Sequence, residues 1–206
     1  MKLFSPAIER NRSYILEVLN SFLMPGAQVL EIASGTGQHG HYISERRPDV
    51  IWQPSDIDPD ALASIKAWKD EASTSNFLSP ISFDVGDLRA PGIGKSFDAL
   101  VAINMIHISP WECSLSLLEQ TRTLLKPQGI LYLYGPFIVE GRETAPSNLD
   151  FDRSLRERDA RWGIRNLEQV VKEAEARELR LVNTTEMPAN NLSVIFKKIQ
   201  GQERLQ

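Results

Sequence analysis

The chain has 206 residues, with 23 Lys+Arg against 27 Asp+Glu for a formal net charge of −4, three histidines and one cysteine. An apolar fraction of 42% excludes a disordered chain, a lone cysteine excludes an internal disulfide or a cysteine metal cage, and the mildly acidic balance excludes a bulk electrostatic nucleic-acid binder. No stretch approaches the roughly 18 apolar residues of a membrane helix, and Lys2, Glu9, Arg10 and Arg12 interrupt any signal-peptide core, so a cytoplasmic single domain over residues 1–206 is expected.

Ser5-Pro6 reads as an N-cap followed by proline at the first helical position. Ile8, Ile15, Val18, Leu19 and Phe22 then recur at helical spacing up to Pro25-Gly26, giving an N-terminal helix within 1–25. Val29-Leu30-Glu31-Ile32 is a first strand, followed by the glycine-rich turn Ala33-Ser34-Gly35-Thr36-Gly37-Gln38-His39-Gly40. Val50-Ile51-Trp52 is a second strand, ending at Pro54, and Asp58-Pro59 opens a helix carrying Leu62, Ile65 and Trp68. Ile81 to Phe83 is a short third strand, and Phe97 to Ile103 a fourth, apolar enough to be buried on both faces. Ser109-Pro110-Trp111-Glu112 has the form of a capping box for a helix through Leu115, Leu118 and Leu125, ending at Lys126 to Gly129. Ile130 to Tyr134 is a fifth strand.

Residues 135–162 read as a polar, irregular cover segment, in which six arginines balance six acids, the pattern of a solvated stretch and not of a nucleic-acid patch. Asn166 and Gln169 form a capping pair for a helix with Leu167, Val170 and Val171. Leu179 to Thr185 and Leu192 to Ile199 are two final strands, joined by too few residues for a parallel crossover and therefore antiparallel. Residues 200–206 are expected to fray. Strands alternating with helices give an α/β fold: a doubly wound, Rossmann-like seven-stranded sheet, mostly parallel, with one reversed strand in a C-terminal hairpin.

A glycine-rich turn between a strand and a helix lets a ligand approach the backbone closely. Gly35-Thr36-Gly37-Gln38-His39-Gly40 matches G-x-G-x-x-G, a weak signal alone, which would suggest a dinucleotide. The register argues otherwise. Two residues separate Ile32 from Gly35, and Glu31 closes the strand. A carboxylate beside the loop repels a pyrophosphate and suits a ligand carrying an amino group and a sulfonium. About 20 residues further on, Asp56 sits where an acidic residue can accept both ribose hydroxyls, while Asp58 is better placed as a helix N-cap before Pro59.

At these residues the sequence resembles the class I S-adenosylmethionine-dependent methyltransferases, whose first motif is acidic-x-G-x-G-x-G after an apolar strand. Here it reads Glu31-Ile32-Ala33-Ser34-Gly35-Thr36-Gly37, with Ala33 in place of the usual first glycine. The resemblance implies S-adenosylmethionine as cofactor, with Glu31, Ala33, Ser34, Gly35 and Gly37 around its methionine part. It places Asp56 on the ribose, Ile57 against the adenine, and Asp87 and Leu88, after Gly86, at the adenine edge. Asn104 and Ile106, at the end of the fourth strand, would pass under the cofactor, and His39 would touch it. It covers residues 5–199. Further segments, Ser5 to Asn11, Asn104 to Ile108, Tyr134 to Phe137, Ser147-Asn148, Trp162 to Arg165 and Met187 to Asn191, resemble an uncharacterised methyltransferase-like family.

Methyl transfer to a small-molecule acceptor is an in-line displacement, in which the protein aligns the nucleophile and excludes water. His107, at the rim, is either a general base or a histidine bonded to backbone. Arg10, Arg12 and Arg142 are candidates to clamp a carboxylate or phosphate, and Asn11, Tyr134, Asn148 and Asn191 are candidate substrate contacts. His39 and His41 point in different directions from one helix, so no metal site is expected. Two other readings stay open: a nicotinamide-dependent oxidoreductase using the glycine loop, and a module that holds the cofactor without transferring anything. The sequence leaves the oligomeric state and the acceptor unspecified.

Overall fold

A computed structural model describes residues 1–88 and 93–199. Its elements are helices α1 (Pro6–Asn20), α2 (Gln38–Arg46), α3 (Pro59–Asp70), α4 (Trp111–Leu124), α5 (Pro146–Arg158) and α6 (Leu167–Glu175). The strands are β1 (Gln28–Ile32), β2 (Ile51–Asp56), β3 (Ile81–Ser82), β4 (Phe97–Ile103), β5 (Leu125–Gly135), β6 (Phe137–Ile138), β7 (Arg165–Asn166), β8 (Leu179–Met187) and β9 (Asn191–Lys198). Seven of them make one sheet in the order β3-β2-β1-β4-β5-β9-β8, and β6 pairs with β7 beside it. Strands β3 to β5 of that order run parallel, whereas β9 is antiparallel to both β5 and β8. The seven-stranded, mostly parallel sheet with one reversed strand therefore stands as the sequence implied.

The sheet is sandwiched by helices because its central strands are apolar on both faces. Leu30, Ile32 and Leu100 face the α4 and α6 side, where they meet Leu117, Leu118 and Val170. Val29, Ala99 and Val101 face the other side and pack with Ile15 and Leu19 of α1, Ile43 of α2 and Ile65 of α3. Alternate residues thus serve two cores, as the pleat dictates. The chain reverses its winding between β1 and β4, and in open α/β sheets ligands bind beyond the strand ends at such a point.

Several local expectations change. Helix α1 begins at Pro6 but ends at Asn20, before Pro25. β2 continues through Pro54 to Asp56, since proline costs one ladder donor there yet Pro54 still pairs with Glu31 and Ser55 with Ile81. The Ser109 capping box does not form: the Ser109 hydroxyl donates to the Met105 carbonyl (2.9 Å), and α4 starts without a side-chain cap. That helix stops at Leu124, and β5 begins at once with Leu125, a register shift against β4 absorbing the extra residues. The segment 135–162 is not irregular, because it carries β6 and the 13-residue α5. Helix α5 buries mainly Asn148 and Leu155, so its polar sequence showed no apolar stripe. By contrast, Asp58 caps α3 by accepting from the Asp60 amide (2.8 Å), and Asn166 caps α6 by accepting from Gln169 (2.7 Å). The segment 200–206 lies outside the described residues. Among those described, no helix is long and apolar enough to cross a membrane.

Gly40 shows how tightly α2 sits on the sheet. A Cβ there would lie 2.6 Å from Trp52 Nε1 and 2.8 Å from Phe77, two fully buried aromatic rings. Gly40→Ala is expected to destabilise the fold by about 2–3 kcal/mol through overpacking, a fall in Tm of roughly 5–10 °C by calorimetry. An unchanged Tm would show that the interface yields.

Candidate functional site

Beyond the C-terminal ends of β1, β2 and β4 lies a cavity of about 590 Å³, within the range that holds a small molecule or cofactor. Its position follows from β1. Burial on both faces fixes that strand in the middle of the sheet, and the chain must then turn sharply to enter α2. The turn is held by a set of short bonds to the neighbouring strand. Ser34 N–H donates to the Ser55 carbonyl (2.8 Å), Ser55 N–H donates to Ser34 Oγ (3.1 Å), and the Ser55 hydroxyl donates to the Glu31 carbonyl (2.7 Å). Gly35 N–H donates to Asp56 Oδ2 at 2.8 Å.

The loop needs left-handed backbone at three residues: Ala33 (φ 52°), Gly35 (φ 57°) and Gly37 (φ 85°). Nothing lies within 4 Å of the Cβ position at Gly35, so the backbone there is open to close approach from the cavity. Ala33 occupies the position of the usual glycine and carries the conformation that favours it. Ala33→Gly is therefore expected to raise Tm by roughly 1–3 °C, since relief of left-handed strain outweighs the added chain entropy. A lower Tm in differential scanning fluorimetry would contradict this.

Glu31 lines the cavity and is 1% exposed. Its carboxylate accepts a hydrogen bond from Trp52 Nε1 at 3.0 Å. Burial raises its pKa to about 7, against the lowering effect of the Trp52 bond. Asp56, also buried, accepts from three backbone N–H groups, those of Gly35 (2.8 Å), Ile57 (2.8 Å) and Asp58 (3.0 Å). Ile57 stands 60% exposed at the cavity wall. Asn104, with φ 60°, ends β4 in the cavity wall, its N–H donating to the Tyr134 carbonyl.

Of one wall the sequence named only Asn11 and His39. Ser5, Ala7, Ile8 and Asn11 of the N-terminal segment line the cavity, with His39 of α2. The N-terminal segment is strapped down ahead of α1: Ser5 N–H donates to Gln38 Oε1 (2.6 Å), and Leu3 N–H donates to Ser64 Oγ (2.8 Å). The opposite wall is Phe83, Asp84, Val85, Met105 and Cys113. It is Asp84, three residues before Asp87, that reaches the cavity; Asp87 and Leu88 lie outside its lining, because the chain turns away where Gly86 N–H bonds Asp84 Oδ1 (2.7 Å). Ile106 is absorbed into the hydrophobic core and does not line the cavity.

The acceptor-side candidates are dispersed. His107 is fully buried, neither ring nitrogen has a hydrogen-bond partner, and its ring packs edge-on against Phe137 at 5.2 Å. Burial, with Arg165 nearby, lowers its pKa to about 3, so it is a packing residue and a poor base. Arg10 is exposed; Arg12 pairs with Glu9 and lies over the Tyr42 ring (4.5 Å); Arg142 pairs with Glu186 (2.9 Å). None of the three lines the large cavity, and the arginine clamp is not formed. Tyr134 is 2% exposed and lies beneath the wall. Asn148 and Asn191 line a separate cavity of about 180 Å³ between the start of α5 and the β8–β9 turn. There Asn148 Nδ2 donates to the Asn190 carbonyl (3.0 Å), and Asn191 Nδ2 donates to that of Pro188 (2.9 Å), so both act on the backbone. No residue of 135–162 lines the large cavity, so this segment does not cover it. Among the described residues, no group of three or more His, Cys, Asp or Glu could hold a metal ion.

A family profile described as "Protein of unknown function (DUF938)" matches residues 2–198. The fold is shared with many solved S-adenosylmethionine-dependent methyltransferases. An O-methyltransferase family protein from Burkholderia thailandensis superposes with a TM-score of 0.80 at 15% identity, over 95% of this chain and 58% of that one. The pyocyanin biosynthetic protein PhzM gives 0.76 at 15% identity, over 93% and 55%. Human N-acetylserotonin methyltransferase, solved with S-adenosylmethionine, gives 0.75 at 15% identity, over 94% and 53%. The chain thus spans little more than half the length of these three proteins. What they share with it is the Rossmann-like methyltransferase fold.

Proposed function

Starting from the premise that the chain belongs to the DUF938 family of uncharacterised proteins, we propose that it is an S-adenosylmethionine-dependent methyltransferase acting on a small molecule. The observation that carries this reading is the electrostatics of the cavity. Glu31, Asp56, Asp58 and Asp84 line it, and among the described residues no lysine or arginine does. A dinucleotide would set its pyrophosphate against four carboxylates without a counter-charge. A cofactor carrying an ammonium and a sulfonium meets complementary charge instead. The neighbours support the same reading, since the N-acetylserotonin methyltransferase was solved with S-adenosylmethionine and another is named a mitomycin 7-O-methyltransferase.

The residues present fit that cofactor. Glu31 would pair with its amino group, the open backbone at Gly35 would lie against the methionine part, and Asp56 would take the ribose hydroxyls. Ile57, Phe83 and Val85 would enclose the adenine, with Asp84 in place of Asp87 at its edge. When bound, S-adenosylmethionine supplies a methyl group activated on sulfur. The chain's own contribution is to fix the cofactor by the loop and the two buried carboxylates, to exclude water through α1, and to aim the acceptor. Isothermal titration with S-adenosylhomocysteine is the direct test. Micromolar binding is expected, and no heat at millimolar ligand would sink the proposal. Saturable binding of NADH would favour the oxidoreductase reading.

A further inference from the structure

With the glycine loop, the two buried carboxylates and the Phe83 wall assigned to the cofactor, one wall of the cavity has no role: Ser5, Ala7, Ile8 and Asn11, with His39. It is uncharged and mixed in polarity, and it contains one built feature. Asn11 and His39 are buried, and Asn11 Oδ1 sits 2.9 Å from His39 Nε2. Helices α1 and α2, distant in sequence, therefore meet at one amide.

The direction of these bonds follows from the chemistry of the groups. Burial beside Arg12 keeps His39 neutral, and a neutral imidazole has one N–H and one bare lone pair. Asn11 Oδ1 can only accept, so the hydrogen is on Nε2. The lone pair then falls on Nδ1, which has no hydrogen-bond partner among the described residues, on a side chain that lines the cavity.

We propose that His39, held in the Nε2–H tautomer by Asn11, is the specificity-determining contact for the methyl acceptor, accepting a hydrogen bond from the O–H or N–H of an uncharged small molecule. This rests on the methyltransferase reading of the cavity. The charge of the acceptor follows from its surroundings. A carboxylate or phosphate would meet Glu31, Asp56, Asp58 and Asp84 with no cation in the lining among the described residues. An ammonium group has no lone pair with which to attack a methyl group. An uncharged alcohol, phenol, amide or heteroaromatic N–H meets neither obstacle, and Ala7, Ile8 and Met105 give its carbon skeleton an apolar bed.

Two measurements test this. In ¹⁵N spectra of histidine-labelled protein saturated with S-adenosylhomocysteine, His39 should show a bare Nδ1 and a protonated Nε2 from pH 5 to 8. Asn11→Ala should mix the tautomers. A protonated Nδ1 in the wild type would overturn the proposal. Separately, the protein is given methyl-labelled S-adenosylmethionine and a small-molecule extract of the source cells, pre-fractionated by ion exchange into anionic, neutral and cationic pools. Label should enter the neutral pool. It should fall more than tenfold for His39→Phe and recover partly for His39→Gln, while S-adenosylhomocysteine affinity changes less than threefold in both. Label in the anionic pool, in no pool, or undiminished in His39→Phe would overturn the proposal while leaving the cofactor reading intact. Absence of S-adenosylhomocysteine binding would overturn the cofactor reading, and this one with it.

Discussion

Glu31→Gln is expected to make the ligand-free protein more stable and to abolish tight cofactor binding. In the folded chain the carboxyl has a pKa of about 7, against an ordinary 4.5 for glutamate, because burial penalises the charge more than the Trp52 bond offsets it. The folded state therefore holds a proton that the unfolded state releases between about pH 4.5 and 7, and stability falls as pH rises through that window. Above pH 7 the wild type carries a buried carboxylate costing on the order of 2–3 kcal/mol. Glutamine keeps the acceptor for Trp52 Nε1 and carries no charge. The Tm difference between variant and wild type should be near zero at about pH 4.5 and grow to roughly 5–10 °C above pH 7, as read by differential scanning fluorimetry. Cofactor binding runs the other way. An ammonium needs the carboxylate, so wild-type affinity for S-adenosylhomocysteine should rise with pH through about 7, with a proton released on binding. In Glu31→Gln the affinity should be about 100-fold lower and flat with pH. A variant that binds as well as wild type would remove Glu31 from the site.

Asp56→Ala is expected to remove cofactor binding and loosen the glycine loop together. The carboxylate accepts from the Gly35, Ile57 and Asp58 amides, so it clasps the loop to the end of β2 before any ligand arrives. Ile57 and Asp58 are exposed and can turn to water; Gly35 loses a charge-assisted bond of about 1.5–3 kcal/mol. Adding the loss of two ribose hydroxyl contacts, affinity for S-adenosylhomocysteine should drop at least about 100-fold, with Tm lower by roughly 3–6 °C. Asp56→Asn should fall between the two, because one oxygen remains to hold Gly35. Hydrogen exchange at Gly35 separates the effects: faster exchange with unchanged affinity would leave Asp56 a loop clasp and nothing more.

The legible parts of the chain were those governed by short-range rules. Short apolar strands alternating with helices, and the brief link between the last two strands, were enough for the sheet and its reversed strand. Asp58 before Pro59, and Asn166 before Gln169, were readable as caps because a cap is a two- to three-residue event. Helix α5 was illegible because it buries almost nothing apolar; what fixes it is Leu155 in the core and Asn148 on the β8–β9 turn. The capping reading of Ser109 failed because Pro110, not Ser109, flanks the helix, and the Ser109 hydroxyl turns back to donate to the Met105 carbonyl. Asp84 lines the cavity and Asp87 does not, and nothing in the local sequence separates the two.

The sequence by itself determined that Glu31, Gly35 and Asp56 meet at one cavity. Their order along a strand, turn and next strand fixes the meeting point, since adjacent parallel strands must bring their ends together. Only the tertiary structure decided which side chains face that point from elsewhere. His107 and Tyr134 sit at strand ends in the sequence yet are sealed beneath the wall, while Asn11 and His39, on two helices 28 residues apart, are brought to 2.9 Å. The reason is physical: a strand end is a backbone position set by local pairing, whereas facing a cavity depends on how helices pack across the sheet, a contact between distant residues that no local pattern encodes.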